Sequence, residues 1–194
     1  MKHYLWTGLA ICIGITTPQR ALGASIGIYS TADATGHAME LRAGEQASLY
    51  VIANPTPGVS WGGEVSVAEY RIIGLPEGWV ASWLPTPLVL ASVGDPFGAG
   101  VDIALANSPG AAPFLLHTLS IRAATDAQDV TLEVVARNPP GGPVGEPPSD
   151  CPWLHYISVD HFEVVCAEVE GFRINSATGL KSSLWYDVKR LYRE

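Results

Sequence analysis

The chain has 194 residues, with 11 Lys and Arg against 19 Asp and Glu, a formal net charge of −8 and 47% hydrophobic residues. An anionic chain with no clustered basic stripe argues against nucleic acid as a partner, because phosphate backbones would be repelled. No apolar run reaches the roughly 20 residues needed to cross a bilayer, and the length suits one domain with a sizeable core.

Met1, Lys2 and His3 open the chain, followed by an apolar run at 4–15, a polar break at 16–20 and the small-residue stretch Ala21, Leu22, Gly23, Ala24. A basic start, about a dozen apolar residues and a small-residue site make the pattern of a secretory signal peptide over 1–24, cleaved after Gly23 or Ala24. Cys12 falls in the apolar run, but Ile11 stands where lipidation requires a small residue, so a lipid anchor is not expected. Cleavage removes Lys2 and Arg20, leaving 9 Lys and Arg against 19 Asp and Glu, a formal charge of −10.

Beyond residue 24 the apolar residues alternate with a period of two, the mark of strands with one buried face. Strands are expected at 26–30, 46–53, 64–73, 79–83 and 88–92. Val101, Ile103 and Leu105 continue the alternation, as do Leu115, Leu119 and Ile121. It is cleanest at 130–137, where Val130, Leu132, Val134 and Ala136 point one way. Further strands are expected at 156–166 and 171–174. Within 64–73 the parity slips between Val65 with Val67 and Ala68 with Tyr70 and Ile72, which implies a β-bulge or two strands meeting. Gly and Pro turns separate the runs, and no helical pattern intervenes, so the fold expected over 25–178 is all-β, an antiparallel β-sandwich. Residues 138–150 (NPPGGPVGEPPSD) form one long Pro and Gly loop.

After the signal, Cys151 and Cys166 remain as an even pair, and in an oxidising compartment a disulfide is the expected state. Residues 179–194 form a tail in which a short amphipathic helix is expected. Ser182 or Ser183 can cap it, and Trp185, Val188, Leu191 and Tyr192 carry its apolar stripe. Lys189, Arg190 and Arg193 place cations at its C-terminal end, where the helix dipole favours them.

No nucleophile elbow, H-E-x-x-H, P-loop or G-x-G-x-x-G occurs in the chain. Glu64, Glu69, Asp95, Asp102 and Glu133 could serve glycoside hydrolysis only as a close pair, and nothing in their spacing selects two. The best polar cluster is His155, Asp160, His161 and Glu163. Alternation puts His161 and Glu163 on one strand face, where imidazole and carboxylate could hold a cation; the competing interpretation is a solvated face. His117, among Leu115, Leu119 and Ile121, is expected to be hydrogen-bonded and semi-buried rather than a ligand. Trp79 and Trp83 share a face and are expected in the core. Trp61 and Trp153 sit in loop-like contexts, and are the candidates for exposed contacts.

The opening Ile26-Gly27-Ile28-Tyr29, the segment VAEYRIIGLPEGW at 67–79 and the late Cys151-Pro152 followed by Val164-Val165-Cys166 resemble a group of uncharacterised secreted bacterial proteins. Their sandwich domain is similar to cohesin and immunoglobulin-like modules. The ending at 182–193 is similar to a short Trp-x-x-[Val/Ile]-Lys-x-Leu-Tyr-Arg tail of such proteins, a departure from cohesins. The resemblance implies a fold and a compartment, and carries no catalytic residue or cofactor. The function expected is therefore a secreted, non-enzymatic module acting by surface contact on a protein or glycan at the cell surface or in the extracellular matrix. Carbohydrate binding through exposed Trp, and hydrolysis by unrecognised acids, are the alternatives.

Overall fold

A computed structural model of the chain describes residues 24–55, 64–106, 112–139, 151–157 and 162–176. Thirteen strands occur among them and no helix. They are β1 (Ser25–Tyr29), β2 (Ala38–Met39), β3 (Gln46–Asn54), β4 (Glu64–Ile73), β5 (Val80–Pro85), β6 (Val89–Asp95) and β7 (Gly100–Leu105). After them come β8 (Phe114–Arg122), β9 (Val130–Val135), β10 (Trp153–Ile157), β11 (Phe162–Cys166), β12 (Glu168–Glu170) and β13 (Phe172–Ile174). The signal peptide and the helical tail expected at the two ends lie outside the described residues.

The strands make two sheets. One runs β12-β1-β3-β8-β5; the other has eight strands, β11-β10-β4-β9-β13-β2 with β7 and then β6 also attached through β4. Inward-facing residues of both sheets interdigitate in one core, including Ile26, Ile28, Leu49, Val51, Ile72, Val101, Ile103, Leu119, Leu132 and Val134. The alternation expected for 101–105 is therefore the core pattern, and that expected for 130–137 holds at Val130, Leu132 and Val134, whereas the strand stops at Val135 and Ala136 is half-buried beyond it. Two expectations change. The sandwich is not purely antiparallel, since β1 pairs β12 and β13 pairs β2 in parallel; β2 and β12 have two and three residues, too few for any periodicity to be read. The single strand expected at 156–166 is instead the pair β10 and β11, antiparallel to each other.

The parity slip at 64–73 is a bulge, and a second bulge, not expected from the sequence, lies in β8. In β4 the partner register jumps from Val67 to Val65 between His155 and Tyr156, so Ser66 is the extra residue and one strand continues through it. That lets Val65, Ala68, Tyr70 and Ile72 all face the core. In β8 the register jumps from His117 to Leu115, with Leu116 as the extra residue. Leu116 takes the buried place expected of Leu115.

Among the described residues a buried polar contact joins the two sheets. Tyr70 Oη of β4 and His117 Nδ1 of β8 are hydrogen-bonded, both residues being fully buried. Trp83 packs its ring edge-on against the imidazole at 4.9 Å between centroids. His117 is more buried than its sequence context implied. Burial pushes its pKa from 6.5 down to about 4 and the Tyr70 phenol well above 10, so both are neutral in the folded protein near neutral pH.

The pH dependence follows in sign. An unfolded chain's histidine binds a proton near pH 6.5, whereas the folded ring resists it until about 4. The stability at stake, roughly 3 kcal/mol, is fully present above pH 6.5, erodes as the pH falls, and is lost below about 4. Denaturant unfolding across that window should show a shallower slope for His117→Gln than for the unaltered protein. Equal slopes would mean that His117 titrates normally in the fold.

Candidate interaction surface

The outer face of the five-stranded sheet is built in register. Pairing of β5 and β3 on either side of β8 sets three rows: Leu84, Thr118 and Tyr50; Ser82, Ser120 and Ser48; Val80, Arg122 and Gln46. The nine side chains are exposed or half-buried. Short hydroxyls fill the middle row, so the surface there is flat, and Gln46 Nε2 donates to Ser120 Oγ at 2.7 Å. Two apolar residues, Val80 at 64% and Leu84 at 69% exposure, stand on the edge strand β5. A shallow hollow of about 300 Å³ opens at the Val80 end, lined by Gly44, Val80, Arg122, Ala123 and Ala124.

On β1 the same face is already filled. The Tyr29 ring lies over Gly27, where an added Cβ would sit 2.7 Å from the phenol oxygen. Tyr29 Oη donates to Glu170 Oε2 at 3.1 Å, and His37 packs edge-on against the ring and lies 3.5 Å from the same carboxylate. Burial and then the neighbouring Glu170 charge push the Tyr29 pKa up to about 12. The open platform is thus confined to β3, β8 and β5.

The outer face of the eight-stranded sheet has a different character. Glu69 of β4 and Asp102 of β7 are register partners, and Arg137 reaches both, with Nη1 2.6 Å from Asp102 Oδ2 and 3.6 Å from Glu69 Oε2. Glu69 is only 1% exposed. After β9 the chain carries Arg137 across Gly100, whose absent Cβ would lie 2.5 Å from Arg137 Cγ and whose φ is +114°. Beside this cluster Trp153 stacks on His155 at 4.3 Å between centroids, and burial lowers the His155 pKa. Cys151 and Cys166 are joined, with 5.7 Å between their Cα atoms, fastening the entry of β10 to the end of β11.

These placements sort the candidates read from sequence. Trp153, expected in an exposed loop, is a correction: it begins β10, pairs with Glu69 and Cys166, and is 4% exposed. Its neighbour Cys151-Pro152 gave the stretch a loop-like look. Trp79 is buried, with Nε1 donating to the Thr125 carbonyl at 3.2 Å, and Trp83 is half-buried on the core, as expected. Trp61 and His161 lie outside the described residues, as do Trp185, Val188, Leu191 and Tyr192. Glu163 is placed only by its backbone, opposite Tyr156. Among the described residues no three His, Cys, Asp or Glu side chains gather into a metal-binding group, and no helix is long and apolar enough to cross a membrane. Sequence reasoning passed over Val80, Ser82 and Leu84, although the pairing of Trp79 and Trp83 on one face already sends these three the other way.

No family model matches the chain, and no curated protein matches it. Solved structures do. The seventh ScaB type I cohesin of Pseudobacteroides cellulosolvens superposes with a TM-score of 0.51 at 8% identity, over 80% of this chain and 92% of that one. A cohesin module of a Clostridium perfringens family 33 glycoside hydrolase gives 0.51 at 12% identity, over 79% and 98%. The fold is a cohesin-like β-sandwich.

The Arg137 cluster yields a test of how the closed face is held. Arg137→Met removes a cation from between two carboxylates, one of them buried, and is expected to cost about 3 kcal/mol in denaturant unfolding. Arg42→Met, at an exposed position, should cost less than about 0.5 kcal/mol. Similar costs for the two would show that the ion pairs contribute nothing specific.

Proposed function

We propose that this chain is a protein-binding module, exported from the cytoplasm, that acts by surface contact through the platform of β3, β8 and β5. The observation that carries the proposal is the three-by-three grid of exposed side chains: flat, with short hydroxyls at its centre, and flanked by Val80 and Leu84. A face of this kind excludes water around a partner while each serine and threonine still offers a donor and an acceptor. Likeness to two cohesin modules supports a recognition role for the fold, with function resting on the site and not on the fold alone. The signal-like N-terminus and the joined Cys151 and Cys166 support export.

A non-enzymatic role is part of the proposal. Its support is that the polar groups brought together among the described residues already engage one another: Glu69, Asp102 and Arg137 as ion pairs, Tyr70 with His117, and Tyr29 and His37 with Glu170. Sugar stacking draws no support from Trp79 or Trp153, both of which are buried.

The test begins with capture of a partner from the native extracellular fraction and its reconstitution with purified components in calorimetry. Ser48→Arg with Ser120→Arg should then weaken the affinity at least tenfold, about 1.4 kcal/mol, with an unchanged Tm. Full affinity in that variant would remove the platform from the interface.

A further inference from the structure

We infer that β5 is a self-association edge, through which two copies of the chain join their five-stranded sheets about a two-fold axis. This goes beyond the binding role proposed above and does not require it.

Edge strands are usually guarded by charged side chains, Pro or bulges, because their unpaired backbone groups recruit other strands. Among the described residues β5 ends its sheet, pairing with β8 alone. Its residues Val80, Ala81, Ser82, Trp83 and Leu84 include no charge, and Pro85 comes only at the end. The strand keeps regular register with β8 throughout, unlike β6, whose register with β7 is interrupted at Leu90. Among the described residues β5 is therefore a regular edge without a guard.

A second copy is the occupant that fits its pattern. In an antiparallel pair centred on Ser82, Val80 of one copy faces Leu84 of the other on the outer surface, and Leu84 faces Val80. On the inner surface small Ala81 meets large Trp83, twice. A two-fold axis demands that one patch be complementary to itself, and these five residues satisfy the demand at every position. Apolar cross-strand pairs of this kind each contribute favourably to a sheet.

Charge agrees as well. The chain's net charge of −8 would drive copies apart over most of the surface. At β5 there is no charge to repel, and the charged residue in the row behind it is the cation Arg122, paired across from Val80. The two-fold sets the two Arg122 side chains at opposite ends of the new strand pair. β6, the edge of the other sheet, follows β5 after a connection of three residues at 86–88 and so lies on the same flank. It brings Leu90 and Val93, both largely exposed, to the same side of the sandwich. Four of the seven large hydrophobic residues exposed among the described residues therefore stand on these two strands.

The experiment uses the full chain. Sedimentation equilibrium should show a concentration-dependent dimer, and Val80→Lys with Leu84→Lys should shift it to monomer with an unchanged Tm. Ser82→Cys should form an intermolecular disulfide under mild oxidation, because residue 82 meets its own copy at the axis. Ser48→Cys, two strands away, should not. Monomer alone up to about 1 mM, with no Ser82→Cys cross-link, would overturn the inference. So would a monomer whose captured partner is lost on the Val80 and Leu84 changes, since β5 would then belong to the partner. Loss of binding in the Ser48 and Ser120 variant with the dimer intact separates failure of one proposal from failure of the other.

Discussion

A hydrogen bond between Tyr70 and His117 sits where this sandwich tolerates least error. Each group is buried, and a polar group buried without a partner costs about 1–3 kcal/mol, so the contact constrains how the two sheets lie against each other. A slip of one residue in β8 would present Leu116 or Thr118 to the phenol. The two bulges supply the needed parity: Leu116 is the extra residue beside His117 in β8, and Ser66 is the extra residue in β4, which carries Tyr70. Trp83 then leans on the imidazole from β5. The inner side of the edge strand is anchored by the same contact that aligns the sheets, and its outer side is left to solvent.

The two outer faces differ for reasons that can be traced to single residues. On the eight-stranded sheet, Gly100 has no Cβ, so the chain after β9 can cross it closely and bring Arg137 over Glu69 and Asp102. Trp153 and His155 complete a buried patch on a face that many sandwiches leave wet. On the five-stranded sheet, Gly27 lets Tyr29 lie flat and closes β1, but among the described residues nothing comparable covers Ser48, Ser120 and Ser82. Each glycine lets a bulky side chain close one region. The region that lacks such a closure among the described residues is the one proposed as the interface.

Much of this was legible in the sequence because burial writes itself as alternation. Val130, Leu132 and Val134, or Val101, Ile103 and Leu105, announce their strand and its inward face, and the broken parity at 64–73 announced an irregularity, a bulge or two strands meeting, that the pairing with β10 resolves as a bulge. Trp79 and Trp83 were legible in the same way. What could not be read was set by partners distant in sequence. Trp153 looks like a loop residue until Glu69 and Cys166 flank it. The parallel strands β2 and β12 are too short to have a pattern of their own, and exist because β13 and β1 offer them an edge. The platform is harder still. Val80, Ser82 and Leu84 show their parity, but that β5 ends its sheet depends on the order of five strands.

The composition of the open face bears on what kind of recognition it can perform. Nine side chains in register include one charge, on Arg122, within a chain whose acidic residues outnumber its basic ones by eight. Ion pairs steer encounters and set their salt dependence, and this face has little with which to do either. On the proposed role, affinity would have to come from fit, from desolvating Val80 and Leu84, and from hydroxyls that keep their hydrogen bonds when water leaves. The acidic surroundings act in the opposite sense, repelling anionic macromolecules and other acidic surfaces until a partner is close. Selectivity would then lie at the rim and binding energy at the centre, an arrangement that favours a partner apolar where it touches and not anionic around that patch.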